Sequence, residues 1–470
     1  MRPTVWWIRR DVRLHDNPAL ARALAGGGPV VPLFVRDPAL LGGRHHGAAA
    51  RRRDFLFAGL RALDADLRAR GARLVVRSGA PAAVLEALAR ETGAQAVIAE
   101  GDASPYARRR DAAARRTVPL EIVGSTSVHH PADVVKADGT PYTVFTPFKR
   151  AWLGRPLPRA ADVLAAPDRL PAVPRTIASE ELPDAGTVGA FPAGEAEARR
   201  RLRAFARGPI DRYASERDRV DHDATSALSP YFRFGMVSAR EAVVAALAAG
   251  AARNGRTDRG ADVWLSELVW REFYLAILFH HPHVLGSAFN ERFRRLGYRR
   301  SVRDLAAWKS GRTGYPIVDA AMRQLAAIGW MHNRARMIVA SFLTKDLLVD
   351  WREGEAWFME TLLDGDPAAN NGGWQWTAGV GTDAAPYFRV FSPVLQGKRC
   401  DPDGTYVRRW LPELAHVPVA RIHEPWTLTP LEQQAAACII GRDYPAPIVE
   451  HHTARERALA AYRDVQAEAT

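Results

Sequence analysis

Two patterns of apolar positions divide the chain into dissimilar halves. From residue 1 to about 125, short apolar runs alternate with amphipathic stretches, which is typical of parallel strands covered by helices. The predicted strands are Thr4–Ile8, Val30–Val35, Arg73–Val76, Gln95–Ala99 and Leu120–Val123, with helices predicted at Arg51–Arg70 and Pro81–Arg90. After about residue 195 the spacing becomes helical. There the predicted helices are Leu265–Phe279, Ile317–Ile328, Arg334–Leu348 and Glu355–Leu363, and a capping box at Ser238–Glu241 predicts another one through Ala248.

These patterns predict an α/β N-terminal domain with a parallel, Rossmann-like sheet over residues 1–128 and an all-α C-terminal domain over residues 195–470. Residues 129–194 are predicted to form an interdomain linker, because prolines accumulate from Pro156 to Pro192 and periodicity is lost. The glycines Gly26–Gly28 precede a predicted strand, whereas a dinucleotide-binding loop follows a strand and opens a helix. The N-terminal domain is therefore not expected to hold an ordinary dinucleotide.

The composition excludes several classes of protein. Of 470 residues, 47% are hydrophobic and 25% are charged, which does not fit a disordered or low-complexity chain. The two cysteines, Cys400 and Cys438, cannot form a disulfide framework, and no apolar run is long enough to span a bilayer. The apolar start ends at Arg9, too early for a signal peptide. We therefore expect a cytoplasmic protein without a membrane partner.

The formal net charge of +13 favours a polyanionic partner such as nucleic acid. Only five of the 65 basic residues are lysines, however, and such an arginine bias also arises from a GC-rich coding sequence. The charge alone therefore leaves the partner open. The tryptophans are a stronger signal, because eight of the thirteen fall between Trp264 and Trp376, a density that core packing alone seldom requires.

A first candidate site lies on the predicted helix Leu265–Phe279. Glu267, Trp270, Arg271 and Tyr274 recur at spacings of three and four and share one face. One interpretation is a cavity floor, where Glu267 hydrogen-bonds a ligand and Trp270 stacks on it. The alternative, a structural ion pair with aromatic packing, is the commoner outcome for such a segment alone.

Two further segments carry polar groups beside aromatic ones. Asn333, Arg336 and Met337 share a helix face from which Arg334 points away, which suits a planar heteroaromatic ligand. For this segment alone, however, the favoured interpretation is a helix start capped by asparagine, with methionine filling the core. The second segment, 364–376, is predicted to be a loop with two carboxylates and two amides before two indoles. It lacks the closing glutamate of a calcium loop. We expect no metal site.

Upstream, residues 225–230 present three hydroxyl groups before a predicted helix. Ser229 and Pro230 are placed like an N-cap and a first helical residue. Such a helix start accepts phosphates, although a capped helix without a ligand is the commoner outcome.

In this order, these segments resemble the cryptochrome/photolyase family, most closely the bacterial cyclobutane pyrimidine dimer photolyases. The resemblance runs from Trp7–Asn17 to Tyr444–His451, is weakest in the linker, and is most specific between Thr313 and Arg389. It implies an N-terminal antenna domain and a C-terminal domain that holds FAD in a bent conformation. The residues implied to bind FAD are Tyr213, Thr225, Ser226, Leu228, Ser229, Trp264, Arg271, Arg336, Asp364, Asp366 and Asn370, with Asn370 facing flavin N5. One departure is Ala227, where some relatives carry an arginine.

The resemblance also implies a substrate and a reaction. The substrate would be a pyrimidine dimer in UV-damaged DNA, flipped out of the stack, and light-excited reduced FAD would donate an electron that opens the cyclobutane ring. The implied dimer-contacting residues are Glu267, Asn333, Trp270, Met337 and Trp376. Arg217, Arg334, Arg389 and Gln396 match positions near the DNA backbone. Met337 and Asn333 favour the cyclobutane type over a (6-4) photolyase, whose pocket should contain histidines.

The family reduces its flavin through a chain of aromatic residues. Trp374 and Trp351 match the first two positions of that chain, and Tyr298 stands where the nearest relatives have a third tryptophan. Oxidised tyrosine must release its phenolic proton, so we expect slower or pH-sensitive photoreduction, with Trp308 or Trp357 as a detour.

Three further expectations follow from the resemblance. For the antenna, Ala107 replaces the glutamate of folate-binding relatives, and segments 34–38 and 105–111 look more like those that bind 8-hydroxy-5-deazaflavin. We therefore favour that chromophore over methenyltetrahydrofolate. The chain is expected to be a monomer. The alternative function is a cryptochrome-type blue-light receptor, although only about twenty residues follow Glu450, fewer than in many receptors.

Overall fold

A computed structural model describes residues 2–41, 48–186, 189–251 and 259–467. The chain groups into two compact units. The first contains Met1–Ala214, Ser226–Pro282 and Leu363–Ala368, and the second contains Ser215–Thr225, His283–Leu362 and Ala369–Thr470. The domain boundaries at residues 128 and 194 stay predictions.

The first unit contains a parallel sheet of five strands in the order β3-β2-β1-β4-β5. The strands are β1 Thr4–Ile8, β2 Val30–Arg36, β3 Val75–Ser78, β4 Ala96–Glu100 and β5 Leu120–Val123. All five predicted strands are confirmed. Strand β1 lies at the centre and is buried along its whole length, which explains its unbroken apolar run. Strand β3 begins two residues later than predicted, because the backbone N–H of Leu74 donates to the Asp64 carboxylate instead.

Eleven helices of the described chain precede Pro282, and most of them belong wholly to the first unit. They are α1 Pro18–Leu24, α2 Pro38–Leu41, α3 Ala48–Ala69, α4 Pro81–Thr92, α5 Pro105–Arg115, α6 Phe145–Leu153, α7 Glu195–Arg207, α8 Pro209–Glu216, α9 Ser229–Phe234, α10 Ala239–Ala251 and α11 Arg259–His280, with a 3-10 turn at Ala160–Asp162. Helix α6 falls inside the range predicted to be the linker. Its apolar side buries Phe148 and Trp152, so it packs like any core helix.

Buried ion pairs fix the backbone where β1 ends. Arg9 pairs with Asp111 at 2.6 Å and Arg13 pairs with Glu100 at 2.7 Å, and all four side chains are at most 7% exposed. Burial raises the pKa of Glu100 to about 7 against the opposing charge of Arg13. Because both arginines are tied down, the intervening backbone is held rigidly, which matters for Arg10 below.

The second unit is helical throughout the residues described. Its helices are α12 Val302–Lys309, α13 Pro316–Ile328, α14 Asn333–Ser341, α15 Trp351–Thr361, α16 Pro367–Ala378, α17 Pro393–Cys400, α18 Thr405–Trp410, α19 Pro430–Ala435 and α20 His451–Ala467, with a π-helix at Phe342–Asp346 and 3-10 turns at Pro282–Leu285, Glu291–Arg295, Pro412–Leu414, Val419–Arg421 and Pro425–Thr427. Helix α16 begins in the first unit and continues into the second.

Two predictions in the C-terminal half, one of a helix and one of a loop, need correction. The predicted helix Arg334–Leu348 ends as an α-helix at Ser341 and continues as the π-helix. Segment 364–376 is not a loop, because its residues from Pro367 onward form α16. Asp366 accepts a hydrogen bond from the backbone N–H of Ala368 at 2.9 Å, and proline suits a first helical turn, so this start is well specified.

No helix in the described part of the chain combines the length and apolarity needed to cross a bilayer. In the second unit, the charged side chain of Lys345 lies on the π-helix and is only 1% exposed. Its Nζ donates to the carbonyl oxygen of Ala378 at 2.8 Å and lies 3.6 Å from the ring centroid of Tyr462. Burial lowers the pKa of Lys345 to about 7.

This lysine predicts a pH-dependent stability. An exposed lysine of the unfolded chain titrates near 10.4, so the folded state carries its full penalty below about pH 7 and loses the penalty as the pH rises toward 10. We expect Lys345→Met to raise the free energy of unfolding by about 1–3 kcal/mol at pH 6 and by little at pH 10. The Ala378 carbonyl stays satisfied, because the Tyr462 hydroxyl also donates to it. Urea unfolding at both pH values measures this, and a gain of equal size at both would contradict it.

Candidate active site

One half-buried face of α11 carries the first group of candidate residues. Glu267, Trp270, Arg271 and Tyr274 are all partly exposed, whereas the neighbouring Phe273 is fully buried. The prediction that the four side chains share a face is confirmed. The face thus presents one carboxylate, one guanidinium and two aromatic rings side by side.

Arg271 has an unmet hydrogen-bond donor. Its Nη2 donates to the carbonyl oxygen of Thr126 at 2.9 Å, and its guanidinium lies 5.6 Å from the ring centroid of Phe232. Its Nη1 is buried and has no hydrogen-bond partner among the residues described. Burial lowers the pKa of Arg271, and the charge of Arg10 lowers it further. A buried donor without an acceptor is costly, so Arg271 is a candidate for binding an acceptor from outside the protein.

Two arginines clamp the turn at Asp364–Asp366. Arg10 Nη2 donates to Asp366 Oδ2 at 2.7 Å, and Arg233 Nε donates to the carbonyl oxygen of Gly365 at 2.7 Å. Burial lowers the pKa of Arg233 to about 9. Burial also lowers the pKa of Arg10, but the carboxylates of Asp366, Asp102 and Glu100 together outweigh burial and raise this pKa overall. Sequence reasoning missed both arginines, since nothing local pairs Arg10 with a residue 356 positions away.

The hydroxyl-rich segment needs one correction. Helix α9 begins at Ser229 itself, so the prediction of Ser229 as the N-cap is wrong. Leu228 takes that place, because its backbone is already near-helical and its carbonyl oxygen accepts from Phe232 N at 3.0 Å. Ala227 has a φ of 47°, which is uncommon for a residue other than glycine. Ser226, Leu228 and Ser229 belong to the first unit, and Thr225 is the last residue of a segment of the second.

Tyr213 and Trp264 are brought together in the first unit. Both are buried and pack against Phe205, with ring centroids 5.7 and 5.0 Å from it. This aromatic cluster fixes the start of the face on α11 described above.

In the second unit, α14 positions Asn333 and Met337. His332 is the N-cap, since its Nδ1 accepts from the backbone N–H of Arg334 at 3.1 Å, so the alternative in which asparagine caps the helix is wrong. Asn333 Nδ2 lies 3.9 Å from Met337 Sδ, which confirms that these two side chains are neighbours. Arg336 Nε donates to the carbonyl oxygen of Met331 at 2.9 Å.

Arg334 points elsewhere, as predicted, and forms part of a basic cluster around one carboxylate. It makes two contacts with Asp218, at 2.5 and 3.1 Å. Arg399 and Arg217 lie 3.6 and 4.0 Å from the same carboxylate. Sequence reasoning named Arg217 and Arg334 but missed Arg399, although it follows Gln396 by three positions on a helix.

The other two predicted DNA contacts lie on and just before α17. Arg389 is exposed and follows Phe388, a large apolar side chain that is 62% exposed. Gln396 is half-buried, its Oε1 has no hydrogen-bond partner among the residues described, and the adjacent Leu395 is 65% exposed.

Asn370 is fixed by a residue that sequence reasoning did not find. Its Nδ2 donates to the carbonyl oxygen of Glu355 at 3.0 Å and to Glu355 Oε1 at 3.1 Å. Burial raises the pKa of Glu355, while the Asn370 hydrogen bond opposes that rise. Because both contacts use the amide nitrogen, the orientation of the Asn370 side chain is determined, with its oxygen turned away from Glu355.

The tryptophans of α16 have different environments. Trp374 is 2% exposed and lies between Phe358 and Trp308, with ring centroids 5.1 and 6.0 Å away, whereas Trp376 is half-buried. A Cβ at Gly354 would lie 2.1 Å from the Trp374 ring, so only glycine fits there. The indole Nε1 of Trp374 has no hydrogen-bond partner among the residues described.

Trp351 and Tyr298 also belong to the second unit. Trp351 is 1% exposed, and the guanidinium of Arg352 lies 5.8 Å from its ring centroid. The hydroxyl of Tyr298 is buried and lacks a hydrogen-bond partner within the described ranges. Burial and then Asp350 raise the pKa of Tyr298 well above its ordinary value.

A cavity of about 540 Å³ lies at the carboxyl ends of β2 and β3. Its lining includes Asp37, Arg109 and Arg110, and Tyr106, whose hydroxyl donates to Asp37. Burial and that carboxylate raise the pKa of Tyr106 to about 12. Ala107 is fully buried and does not line the cavity.

Among the residues described, no three histidine, cysteine, aspartate or glutamate side chains are grouped so that they could bind a metal ion.

Known families and structures match nearly the whole chain. The models described as DNA photolyase and as FAD binding domain of DNA photolyase match residues 4–171 and 264–464. A deoxyribodipyrimidine photo-lyase of Streptomyces griseus is 43% identical, over 95% of this chain and 96% of the relative. A crystal structure of a bacterial class III photolyase from Agrobacterium tumefaciens has a TM-score of 0.92 at 38% identity, covering 99% of this chain and 98% of that one. A Synechocystis cryptochrome has a TM-score of 0.87 at 29% identity, covering 98% and 99%.

Proposed function

Because this chain belongs to the DNA photolyase family, we propose that it is a light-driven enzyme that uses FAD to split cyclobutane pyrimidine dimers in DNA. The observation that carries this proposal is the α11 face, where Glu267 and Trp270 stand beside a guanidinium with an unmet donor. A lesion needs apolar walls and a polar anchor, and an anionic cofactor needs that donor.

The residues of the first unit fit FAD. Arg271 has a buried Nη1 that lacks an acceptor, and Arg10 and Arg233 hold the turn Asp364–Asp366 in a fixed shape. In this proposal Arg271, Asp364 and Asp366 bind the flavin and adenosine parts, and Tyr213, Trp264, Ser226, Leu228 and Ser229 line the phosphates and the ribityl chain. The family resemblance also proposes Thr225, Arg336 and Asn370 as FAD-binding residues. When bound and reduced, FAD supplies a photoexcited electron.

Glu355 gives Asn370 its role toward the flavin. The amide nitrogen is engaged by Glu355, so Asn370 can offer only its oxygen to a ring N–H such as that at N5. Asn370 would thereby act as an acceptor of fixed direction.

We expect Glu355→Gln to shift the one-electron reduction potential of bound FAD by about 20–60 mV, the equivalent of a hydrogen bond of 0.5–1.5 kcal/mol. The shift is expected to be positive, because a negative charge is removed. Spectroelectrochemical titration measures it, with Glu353→Gln, an exposed change on the same helix, as the control. An unchanged potential in Glu355→Gln would show that the charge of Glu355 does not act on the flavin.

The residues proposed to contact the lesion are those implied by the family resemblance. Glu267 and Asn333 would hydrogen-bond the carbonyl and imide edges of a flipped-out dimer, which is less costly to extrude than a normal base pair. Trp270 and Trp376 would form its walls, and Met337 would fill the remaining side.

The basic residues position DNA without reading its sequence. Arg217, Arg334, Arg389 and Gln396 are proposed to contact the backbone, and Arg399 joins them through the cluster at Asp218. Phe388, which is 62% exposed beside Arg389, offers an apolar surface to bases that are unstacked at the lesion. A monomeric state stays a prediction.

Electrons are proposed to enter the flavin through Trp374, then Trp351, then Tyr298. The Tyr298 hydroxyl has no acceptor among the residues described, so oxidation of Tyr298 leaves its proton without a local destination. Trp308, whose ring lies 6.0 Å from that of Trp374, is the alternative neighbour.

For the antenna we propose 8-hydroxy-5-deazaflavin in the cavity at β2 and β3. Arg109 and Arg110 suit its acidic hydroxyl, and the apolar rims near Pro38 and Pro81 suit its flat ring system. Extraction of the chromophore from the native holoprotein identifies it by absorption and mass. A folate in the extract would reverse this proposal.

The experiment that tests the function uses three oligonucleotides, with a cyclobutane dimer, with a (6-4) photoproduct and with no lesion. Each is incubated with the holoprotein under blue light and in darkness. We expect that only the oligonucleotide with the cyclobutane dimer is restored to intact pyrimidines, and only in light. Repair of the (6-4) product would identify the other photolyase type, and lesion binding without any repair would favour a blue-light receptor.

A further inference from the structure

Helix α6 packs directly along the α11 segment that bears the proposed lesion-contacting residues. Phe148 meets Phe273 edge to face, with ring centroids 5.3 Å apart. Trp152 Nε1 donates to Glu272 Oε2 at 2.6 Å, and both of these residues are buried. The contact is therefore a core interface, although α6 comes from the part of the chain predicted to be a linker.

The contact continues to the half-buried side of α11. Lys149 Nζ donates to Ser266 Oγ at 2.5 Å, directly before Glu267. One turn earlier on α6, the ring of Phe145 lies flat on the indole of Trp270, with centroids 3.7 Å apart and planes at 7°.

This stack is unusual in its geometry. Aromatic pairs prefer offset or edge-to-face arrangements, with centroids about 4.5–7 Å apart, over a full face-to-face overlap. Phe273 approaches the same indole in the preferred manner, at 5.5 Å and 82°. The overlap of Phe145 with Trp270 is therefore imposed by the interface between the two helices, and it fixes the plane of the indole.

We propose that Phe145 is a positioning residue for lesion recognition, which holds the Trp270 indole in the orientation that receives a pyrimidine dimer. This inference rests on the proposed function, in which Trp270 forms a wall of the lesion pocket. A residue outside the FAD-binding half of the sequence thus contributes to specificity, because an indole that is already oriented loses less freedom when the lesion binds.

The test compares five variants of the FAD-loaded full chain. Phe145→Leu removes the ring but keeps an apolar side chain, and Phe145→Tyr keeps the stack. Tyr142→Leu is the matched control, because the Tyr142 ring packs near Phe148, with ring centroids 6.4 Å apart, and lies outside the stack. Trp270→Ala, alone and combined with Phe145→Leu, reports whether the effect passes through the indole. Dissociation constants are measured for a dimer-containing duplex and for the same duplex without a lesion, together with thermal unfolding.

We expect Phe145→Leu to weaken binding of the lesion duplex by about three- to tenfold and to leave binding of undamaged DNA unchanged. Phe145→Tyr should bind like the wild type, and Phe145→Leu should add nothing in the Trp270→Ala background. Equal weakening for both duplexes, a loss shared by Tyr142→Leu, or additive effects of the two changes would overturn the inference. If Trp270→Ala leaves lesion affinity unchanged, the proposed role of Trp270 itself fails, which is a distinguishable result.

Discussion

Replacing Trp374 by phenylalanine should abolish photoreduction of bound FAD and leave dimer repair intact once the flavin is reduced chemically. A phenyl ring is much harder to oxidise than an indole, and each 59 mV changes a one-electron equilibrium tenfold, so photoreduction should fall by at least about a hundredfold. The substitution fits the buried site, which is already lined by aromatic rings, so the fold should persist. Transient absorption after a flash measures the loss.

The matched control for this prediction is Trp308→Phe, which changes a buried indole in contact with Trp374. It should retain photoreduction if electrons pass through Trp351 and should lose it if Trp308 is the route. Tyr298→Phe then tests the end of the chain, because a long-lived tryptophanyl radical in that variant would exclude Tyr298. Photoreduction of Trp374→Phe at the wild-type rate would contradict the proposed path as a whole.

Arg271→Ala should yield a protein with little or no bound FAD. The change removes the guanidinium whose Nη1 has no acceptor among the residues described. A charged hydrogen bond contributes about 1.5–3 kcal/mol to binding, or about 10–100-fold in affinity. Flavin absorbance of the purified protein and titration of the apoprotein with FAD measure the effect.

Two controls separate this loss from a general defect. Arg303→Ala removes an exposed arginine of the second unit and should bind FAD normally. Arg271→Lys keeps the charge and should recover part of the affinity. If Arg271→Ala retained FAD at wild-type affinity, Arg271 would not be a cofactor ligand.

The strands and the α11 face followed from local pattern. Strand β1 is buried on both sides, and its sequence is an unbroken apolar run. Glu267, Trp270 and Arg271 lie on one face of α11, as their spacing predicts. Such features depend on periodicity alone, so sequence suffices. Helix α9 begins at Ser229, one residue earlier than predicted. The preference of serine for N-cap positions gives no information on the near-helical backbone of Leu228, which precedes it.

Other features depend on tertiary partners and were invisible in the sequence. Segment 364–376 reads as a loop because of its asparagines and glycines, yet it becomes α16 once Asp366 caps it. Arg10 and Glu355 support Asp366 and Asn370 from distant positions, so no local pattern marks them. Helix α6 lies in the range that was predicted to be the linker, and only its packing on α11 shows its role.

The most direct test of the central claim is illumination of the FAD-loaded protein with a dimer-containing oligonucleotide, beside the Glu267→Ala and Trp270→Ala variants and a dark control. The α11 face predicts that the wild type restores intact pyrimidines in light and none in darkness, and that both variants lose most of this repair. Undiminished light-driven repair in both variants, or repair by the wild type in darkness, would contradict it.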